Sequence, residues 1–139
     1  MNTAEIVAEL NQQKPAFLDL LGGRIVAFDT KAHICTFEFC VPLDYCHSGN
    51  IVQGGFVTAM LDAAMAHAIF GVDSSIKRLS SLEISTRYEA ATYGEQRLTV
   101  TGRIRKLTRA IAFLEGEIHD EQGKLTATAQ SIAKIARSA

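Results

Sequence analysis

Cysteine is scarce in this 139-residue sequence, and the three cysteines present are poorly spaced for a cross-link or a metal site. Cys35, Cys40 and Cys46 are odd in number, and no two of them form a CxxC pair. A disulfide framework and a zinc site are therefore both disfavoured, and reduced thiols are the simpler interpretation. We expect neither a metal nor a separate cofactor.

An excess of charge of one sign is also lacking. The formal net charge is −1 and the isoelectric point is near 6.4, so the chain has no basic field to hold a nucleic-acid backbone. The first residues lack the basic region and apolar stretch of a leader, and no uninterrupted apolar run reaches the roughly 18 residues of a membrane span. We expect a cytoplasmic protein with neither nucleic acid nor membrane as a partner.

The chain does contain enough apolar side chains for one hydrophobic core. Hydrophobic residues make up 47% of it, which predicts a single domain over residues 1–139. Thr3 is a candidate cap for a first short helix, and Pro15 is placed to begin a second one. Alternating apolar residues and turn signals predict six strands, at Arg24–Phe28, His33–Val41, Ser80–Tyr88, Gln96–Lys106, Ala110–Asp120 and Lys124–Ala136.

One long helix is predicted between the second and third of these strands. Residues Gly54 to Phe70 are apolar nearly all round, which indicates a buried helix, whereas Pro42 to Val52 before it are predicted to be a loop. The order β-β-α-β-β-β-β is typical of an α+β domain in which an antiparallel sheet wraps one central helix.

The start of this helix carries the clearest sign of chemistry. Gly54 and Gly55 let a ligand approach the backbone, and the free N–H groups of a helix start can stabilise the oxygen of a polarised carbonyl. Asp62 follows on the same helix, where a carboxylate among apolar residues is costly without a purpose. It is our candidate for a general base that activates water, or for a nucleophile that forms a mixed anhydride.

Helix geometry indicates that one chain cannot complete this site. Asp62 follows Gly55 by seven residues, so the two lie about 10 Å apart along the axis and cannot both reach one carbonyl carbon. If two copies of the helix pack antiparallel, Gly55 of one copy faces Asp62 of the other. The hypothesis is a composite site, with a homodimer as the minimum functional unit.

The order of elements, together with the motif Asn50-x-x-Gln53-Gly54-Gly55 and Asp62 nine residues after Gln53, resembles the PaaI-like acyl-CoA thioesterases of the hotdog fold. The resemblance extends from about Leu20 to Ile135. It implies hydrolysis of an acyl-CoA to a carboxylic acid and coenzyme A, which would enter as part of the substrate, and it implies a homotetramer. The chain has Gln53 where the commonest family motif has a histidine, and an amide can orient a thioester or a water but cannot titrate.

The resemblance also implies roles for residues outside the helix start. It gives Ser81 a supporting role beside the carboxylate, and it makes His47, Asn50 and Gly54 candidates for substrate contact. The stretch from Arg105 to Ala110 matches the segment that contacts the nucleotide of coenzyme A, where the candidates are Arg105, Lys106, Thr108 and Arg109. A solvated hairpin end is the alternative for that basic cluster.

Two other functions are compatible with the same fold. One is a hydratase or dehydratase acting on an acyl thioester, but no histidine with an acidic partner is evident. The other is a protein that binds acyl-CoA without cleaving it. The acyl group itself stays open, because the depth of the pocket depends on how the apolar residues of the helix pack.

Overall fold

The computed structural model describes residues 1–137, so residues 138 and 139 of the predicted domain lie outside the described part. Two short helices come first, α1 (Thr3–Gln13) and α2 (Phe17–Leu20), followed by strands β1 (Arg24–Asp29) and β2 (Ile34–Phe39). A 3-10 turn at Leu43–Tyr45 leads to the small strands β3 (Cys46–His47) and β4 (Ile51–Val52). The long helix α3 (Gly54–Val72) precedes four further strands, β5 (Ile76–Tyr88), β6 (Leu98–Leu107), β7 (Ile111–His119) and β8 (Leu125–Arg137).

Six strands form one antiparallel sheet in the order β1-β2-β6-β7-β8-β5. This sheet packs around α3, which contacts β2, β5, β6, β7 and β8. The predicted α+β hotdog architecture is confirmed. One face of β2 is buried against the core, where Cys35, Phe37 and Phe39 are fully enclosed. Strands β1 and β5 are the two edges of the sheet.

The sheet and α3 approach each other most closely at two glycines. Gly102 on β6 and Gly116 on β7 face each other across the sheet. A side chain at Gly102 would overlap the backbone of α3 at Ala64 and Met65, and one at Gly116 would touch Leu61 and Met65. The alanines of α3 and these glycines together let the helix lie directly on the sheet.

Several predicted boundaries were wrong. Asn2, not Thr3, caps α1, because its side chain accepts from the backbone N–H of Glu5 while the Glu5 carboxylate accepts from Asn2 in a capping box. The predicted loop of residues 42–52 contains the β3–β4 hairpin, α3 continues to Val72, and β5 begins at Ile76. The periodic core of each element was correct, whereas its ends depend on caps and turns.

Helix α3 also qualifies the exclusion of a membrane span. The sequence criterion was an uninterrupted apolar run, and Thr58, Asp62 and His67 interrupt the apolar residues of α3. By length and composition alone, the 19-residue helix is long and apolar enough to cross a bilayer, with a mean hydropathy of 1.5. The core helix of a globular domain meets the same criteria, and here the sheet packs around α3 and buries most of its large side chains.

Candidate active site

The helix start at Gly54 holds a carbonyl oxygen in a double hydrogen bond. The side-chain oxygen of Gln53 accepts from the backbone N–H of Gly55 at 2.7 Å and from that of Phe56 at 3.2 Å. Gln53 is therefore the N-cap of α3, a position where Ser, Thr, Asp and Asn are preferred. Two N–H groups that converge on one amide oxygen form a receptor suited to another carbonyl oxygen.

The polar residues of α3 face the inner side of β5 as three successive contacts. The Tyr88 hydroxyl donates to the Gly54 carbonyl at 2.9 Å, the Thr58 hydroxyl lies 2.8 Å from that of Thr86, and the Ser81 hydroxyl donates to Asp62 at 3.3 Å. Tyr88 and Thr58 are also joined, with their oxygens 3.2 Å apart. The helix and the strand therefore run antiparallel with hydrogen-bonded side chains between them.

A bulge in β5 makes this arrangement possible. The pairing of β5 with β8 shifts between Ser81 and Glu83, so Leu82 is an extra residue without a partner. Thr86 and Tyr88 share one face of the strand by its period of two. Ser81 is an odd number of residues from Thr86 and from Tyr88, so in a regular strand it would lie on the opposite face. The extra residue Leu82 places it on the same face, beside Asp62.

Asp62 is the one carboxylate of α3, and it is half-buried. Burial raises the pKa of its carboxyl group above the ordinary value, and the hydrogen bond from Ser81 opposes this rise. Ser81 is its hydrogen-bond partner, and no cation forms a salt bridge with it within residues 1–137. A half-buried carboxylate without a cation retains its basicity, as a proton acceptor requires.

The predicted substrate contacts are divided between two places. His47, Gly54 and Gly55 line an open pocket of about 540 Å³ together with Tyr88, and the His47 ring nitrogen Nδ1 lies 3.0 Å from the Ser48 hydroxyl. Asn50 does not line that pocket, and its backbone carbonyl accepts from the N–H of Gly94. The Asn50 backbone therefore holds its loop against the segment between β5 and β6.

The basic cluster lies at the exposed end of the β6–β7 hairpin. Arg105 lies 3.7 Å from the Glu115 carboxylate, and the Thr108 hydroxyl donates to Ile111 at 3.1 Å and accepts from its N–H at 3.0 Å. The Thr108 side chain thus closes the turn, which leaves Lys106 and Arg109 as the less engaged members of the cluster. None of the four lines the pocket beside Gly54 and Gly55.

Tyr88, Thr58 and Thr86 are the site residues that sequence reasoning missed. The Thr58 hydroxyl bonds Thr86 and Tyr88 and not the Asp62 carboxylate that lies one turn further along α3. The signal was present in the four-residue spacing of Gly54, Thr58 and Asp62, which places all three on one helix face. Within residues 1–137, no group of three or more His, Cys, Asp or Glu side chains is arranged to hold a metal.

Comparison with known structures supports the fold. PaaI of the phenylacetic acid degradation operon of Escherichia coli superposes with a TM-score of 0.82 at 17% identity, covering 96% of this chain and 93% of its own. A thioesterase of Ralstonia eutropha, described as related to phenylacetic acid degradation, gives 0.83 at 23% identity, covering 93% and 98%. A thioesterase of Streptococcus pneumoniae, solved with coenzyme A, gives 0.74 at 14% identity, covering 84% and 87%.

The family assignment comes from the sequence itself. No protein with a curated description matches the chain in sequence. The sequence profile of the Thioesterase superfamily matches residues 49–127, more than half of the chain, and this segment contains Gln53, Asp62, Ser81 and Tyr88. The PaaI-like resemblance and the prediction of a thioester hydrolase are thereby confirmed. The chain belongs to the thioesterase superfamily and has its hotdog fold.

Proposed function

We propose that this protein is an acyl-CoA thioesterase in which the backbone N–H of Gly55 polarises the thioester carbonyl. The observation that carries the proposal is the Gln53 side chain, whose carbonyl oxygen accepts from Gly55 and Phe56 at the start of α3. Gly55 is exposed and has no side chain to block an incoming carbonyl. The thioester oxygen would replace the Gln53 oxygen, and the N–H groups would stabilise the negative charge that develops on it.

Asp62 supplies the second part of the proposed reaction. As a general base it takes a proton from water, the water oxygen attacks the carbonyl carbon, and the carbon–sulfur bond breaks to release the thiolate of coenzyme A. As a nucleophile its own oxygen attacks, and water then cleaves the mixed anhydride. Both routes require the ionised carboxylate, and the Ser81 hydrogen bond favours that form.

The proposed site takes Asp62 from a second copy of the chain. Gly55 and Asp62 are separated by about 10 Å along α3, since each residue advances the helix by about 1.5 Å. The edge strand β5 runs beside the site for 13 residues, most of them exposed, and the Leu82 side chain on it is 60% exposed. A long edge with an exposed leucine favours pairing with another chain. A homodimer is therefore the proposed minimum unit, and a homotetramer is the assembly implied by the family.

Coenzyme A is proposed as the carrier of the acyl group for two reasons, the ligands of related structures and the basic side chains of the β6–β7 hairpin. The streptococcal relative was solved with coenzyme A, and a Streptococcus mutans relative was solved bound to acetyl-CoA. The β6–β7 hairpin offers Lys106 and Arg109, whose charges are suited to phosphates. Reversal of both charges should raise KM for acyl-CoA more than for the matching acyl-cysteamine thioester, which lacks the nucleotide. Equal effects on the two substrates would argue against this binding segment.

The main test is release of free thiol from a panel of acyl-CoA substrates by the wild-type protein, Asp62→Asn and Asp62→Ala. We expect both variants to lose at least about 1,000-fold in kcat, because general base or nucleophilic catalysis is removed. Circular dichroism checks that they fold. Near wild-type turnover by both would contradict the role of Asp62, and tight acyl-CoA binding without thiol release would indicate a binding protein instead.

A further inference from the structure

A second cavity lies at the other end of α3, beneath α1. It measures about 580 Å³, within the usual range for small-molecule sites. Its lining includes Leu10 from α1, Phe28 from β1, and His67 and Phe70 from the last turns of α3. Gln53, Gly55 and Asp62 are not among the lining residues, so this cavity is distinct from the candidate active site.

His67 is the polar side chain that determines the chemistry of this cavity. It is 5% exposed, and the Phe37 and Phe70 rings stand edge-on to it at 5.2 and 5.6 Å between centroids. Its Nδ1 lies 2.7 Å from the Ala63 carbonyl oxygen. A carbonyl only accepts, so Nδ1 carries the proton and Nε2 of the neutral ring is an acceptor.

The acceptor Nε2 has no hydrogen-bond partner within residues 1–137. Burial lowers the pKa of His67, so the ring is neutral at physiological pH and Nε2 keeps its lone pair. His67 lines the cavity, and its Nε2 is not among the fully buried unpaired polar atoms of residues 1–137, so a donor group that enters the cavity can reach this nitrogen. The remaining titratable groups of the lining residues are the α-amino group of Met1, Glu9, His33 and Lys77, and Lys14 lies close enough to His67 to act on its charge.

Met1 and Lys77 are exposed, whereas the buried part of the cavity, which Leu10, Phe28 and His67 line, has no charged side chain and favours an uncharged ligand. We propose that the cavity beneath α1 binds a small uncharged molecule with an aromatic or alicyclic body and one hydroxyl, which donates to His67 Nε2. The Phe28 and Phe70 rings would contact the apolar body. The site does not depend on thioester hydrolysis, so its test uses no thioester.

The experiment compares 4-butylphenol with 4-butylanisole, a matched probe whose ether oxygen cannot donate. We expect calorimetric titration of the full chain to show the phenol binding about fivefold more tightly, since one hydrogen bond contributes about 1 kcal/mol. The preference should disappear in His67→Phe and persist in His119→Gln, a histidine outside the cavity. Equal affinities in the wild-type protein, or no binding of either probe, would overturn the proposal.

A second measurement covers the case in which His67→Phe does not fold. In wild-type protein labelled with nitrogen-15 in histidine, the phenol should shift the Nε2 resonance of His67 in the direction of a hydrogen-bonded nitrogen. The anisole should not produce this shift. A phenol that binds while the Nε2 resonance stays unchanged would refute the assigned contact.

Discussion

The Tyr88 hydroxyl donates a hydrogen bond of 2.9 Å to the carbonyl of Gly54, and that carbonyl belongs to the same planar peptide unit as the N–H of Gly55. A hydrogen bond on one side of a rigid peptide plane fixes the direction of the N–H on the other side. Tyr88 therefore orients the proposed oxyanion donor through the carbonyl of Gly54, from which it is separated by 34 residues in the chain.

This relationship predicts the effect of Tyr88→Phe, which removes the hydroxyl and keeps the ring. We expect kcat to fall about fivefold with little change in KM, because the lost bond of about 1 kcal/mol orients a donor needed most in the transition state. Steady-state thiol release measures both constants. Tyr93→Phe is the matched control, since the Tyr93 hydroxyl makes no hydrogen bond within residues 1–137. A change in KM alone would show that Tyr88 only contacts substrate.

Ser81→Ala tests how the pKa of Asp62 is set. The hydrogen bond from Ser81 favours the ionised carboxylate, so its removal should raise the pKa of Asp62 further. The acid limb of the pH profile of kcat/KM should therefore move to higher pH, while the rate above it changes less. Ser85→Ala on the same strand is the control, because its hydroxyl has no hydrogen bond to Asp62. An acid limb at unchanged pH would show that Ser81 does not influence the pKa of Asp62.

Asp62→Asn should stabilise the fold as it removes activity. The folded state holds the pKa of Asp62 above its ordinary 3.8, so it binds a proton more readily than the unfolded chain does. The free energy of unfolding contributed by this group is greatest below 3.8 and falls as pH rises through the folded pKa. The stability gain of the variant should therefore be small in acid and grow to about 1 kcal/mol near neutral pH. Urea unfolding of both proteins across that window measures it, and a gain that shrinks with rising pH would contradict the assigned cause.

Leu82→Asp should weaken the proposed dimer. Leu82 is exposed on the unpaired edge strand β5, and a charge buried there on association would raise the dimer dissociation constant about 100-fold. Sedimentation equilibrium measures the constant, and activity should fall in parallel at low protein concentration. Leu20→Asp is the control, because Leu20 has the same 60% exposure but lies on α2. A monomeric wild-type protein with full activity would remove the basis for a two-chain site.

Gly102→Ala should destabilise the domain by about 3 kcal/mol, because the added methyl group meets the backbone of α3, which cannot rotate away. Gly116→Ala is the matched variant on the facing strand, where the methyl group would lie 3.1 Å from Leu61 Cδ2 and 3.3 Å from Met65 Cγ and the Thr101 carbonyl oxygen, so shifts of a few tenths of an ångström suffice. Its cost should be clearly smaller. Thermal unfolding of the two variants compares them, and equal losses would mean that the helix is free to shift.

The sequence was sufficient for the fold and for the positions of Gln53, Gly55 and Asp62, because each has a local signal. A buried helix shows in its composition, and a glycine pair shows at its start. The Ser81 contact with Asp62 came from family resemblance, and the structure brings the two residues together. The roles of these residues in catalysis remain predictions.

The missed features depend on contacts between distant segments. A strict period of two along β5 would place Ser81 opposite Tyr88, and nothing local marks Leu82 as an extra residue. The engagement of Thr108 in its turn and of Asn50 with Gly94 likewise depends on backbone groups that become neighbours only after folding. Secondary-structure propensity and the spacing of residues along the chain do not predict such pairings.

The bulge at Leu82 also has a consequence for insertions and deletions. Loss of Leu82 itself would leave Ser81 and Thr86 an even four positions apart in a regular strand, with both still facing the helix. Insertion of one residue between Leu82 and Thr86 would instead exchange the inward and outward side chains on one side of the bulge, and either Ser81 or the Thr86 and Tyr88 pair would point to solvent. A change of two residues would preserve the alternation. The direction of the side chains in this segment therefore depends on whether an insertion adds an odd or an even number of residues. An odd insertion would turn either Ser81 away from Asp62 or Tyr88 away from Gly54.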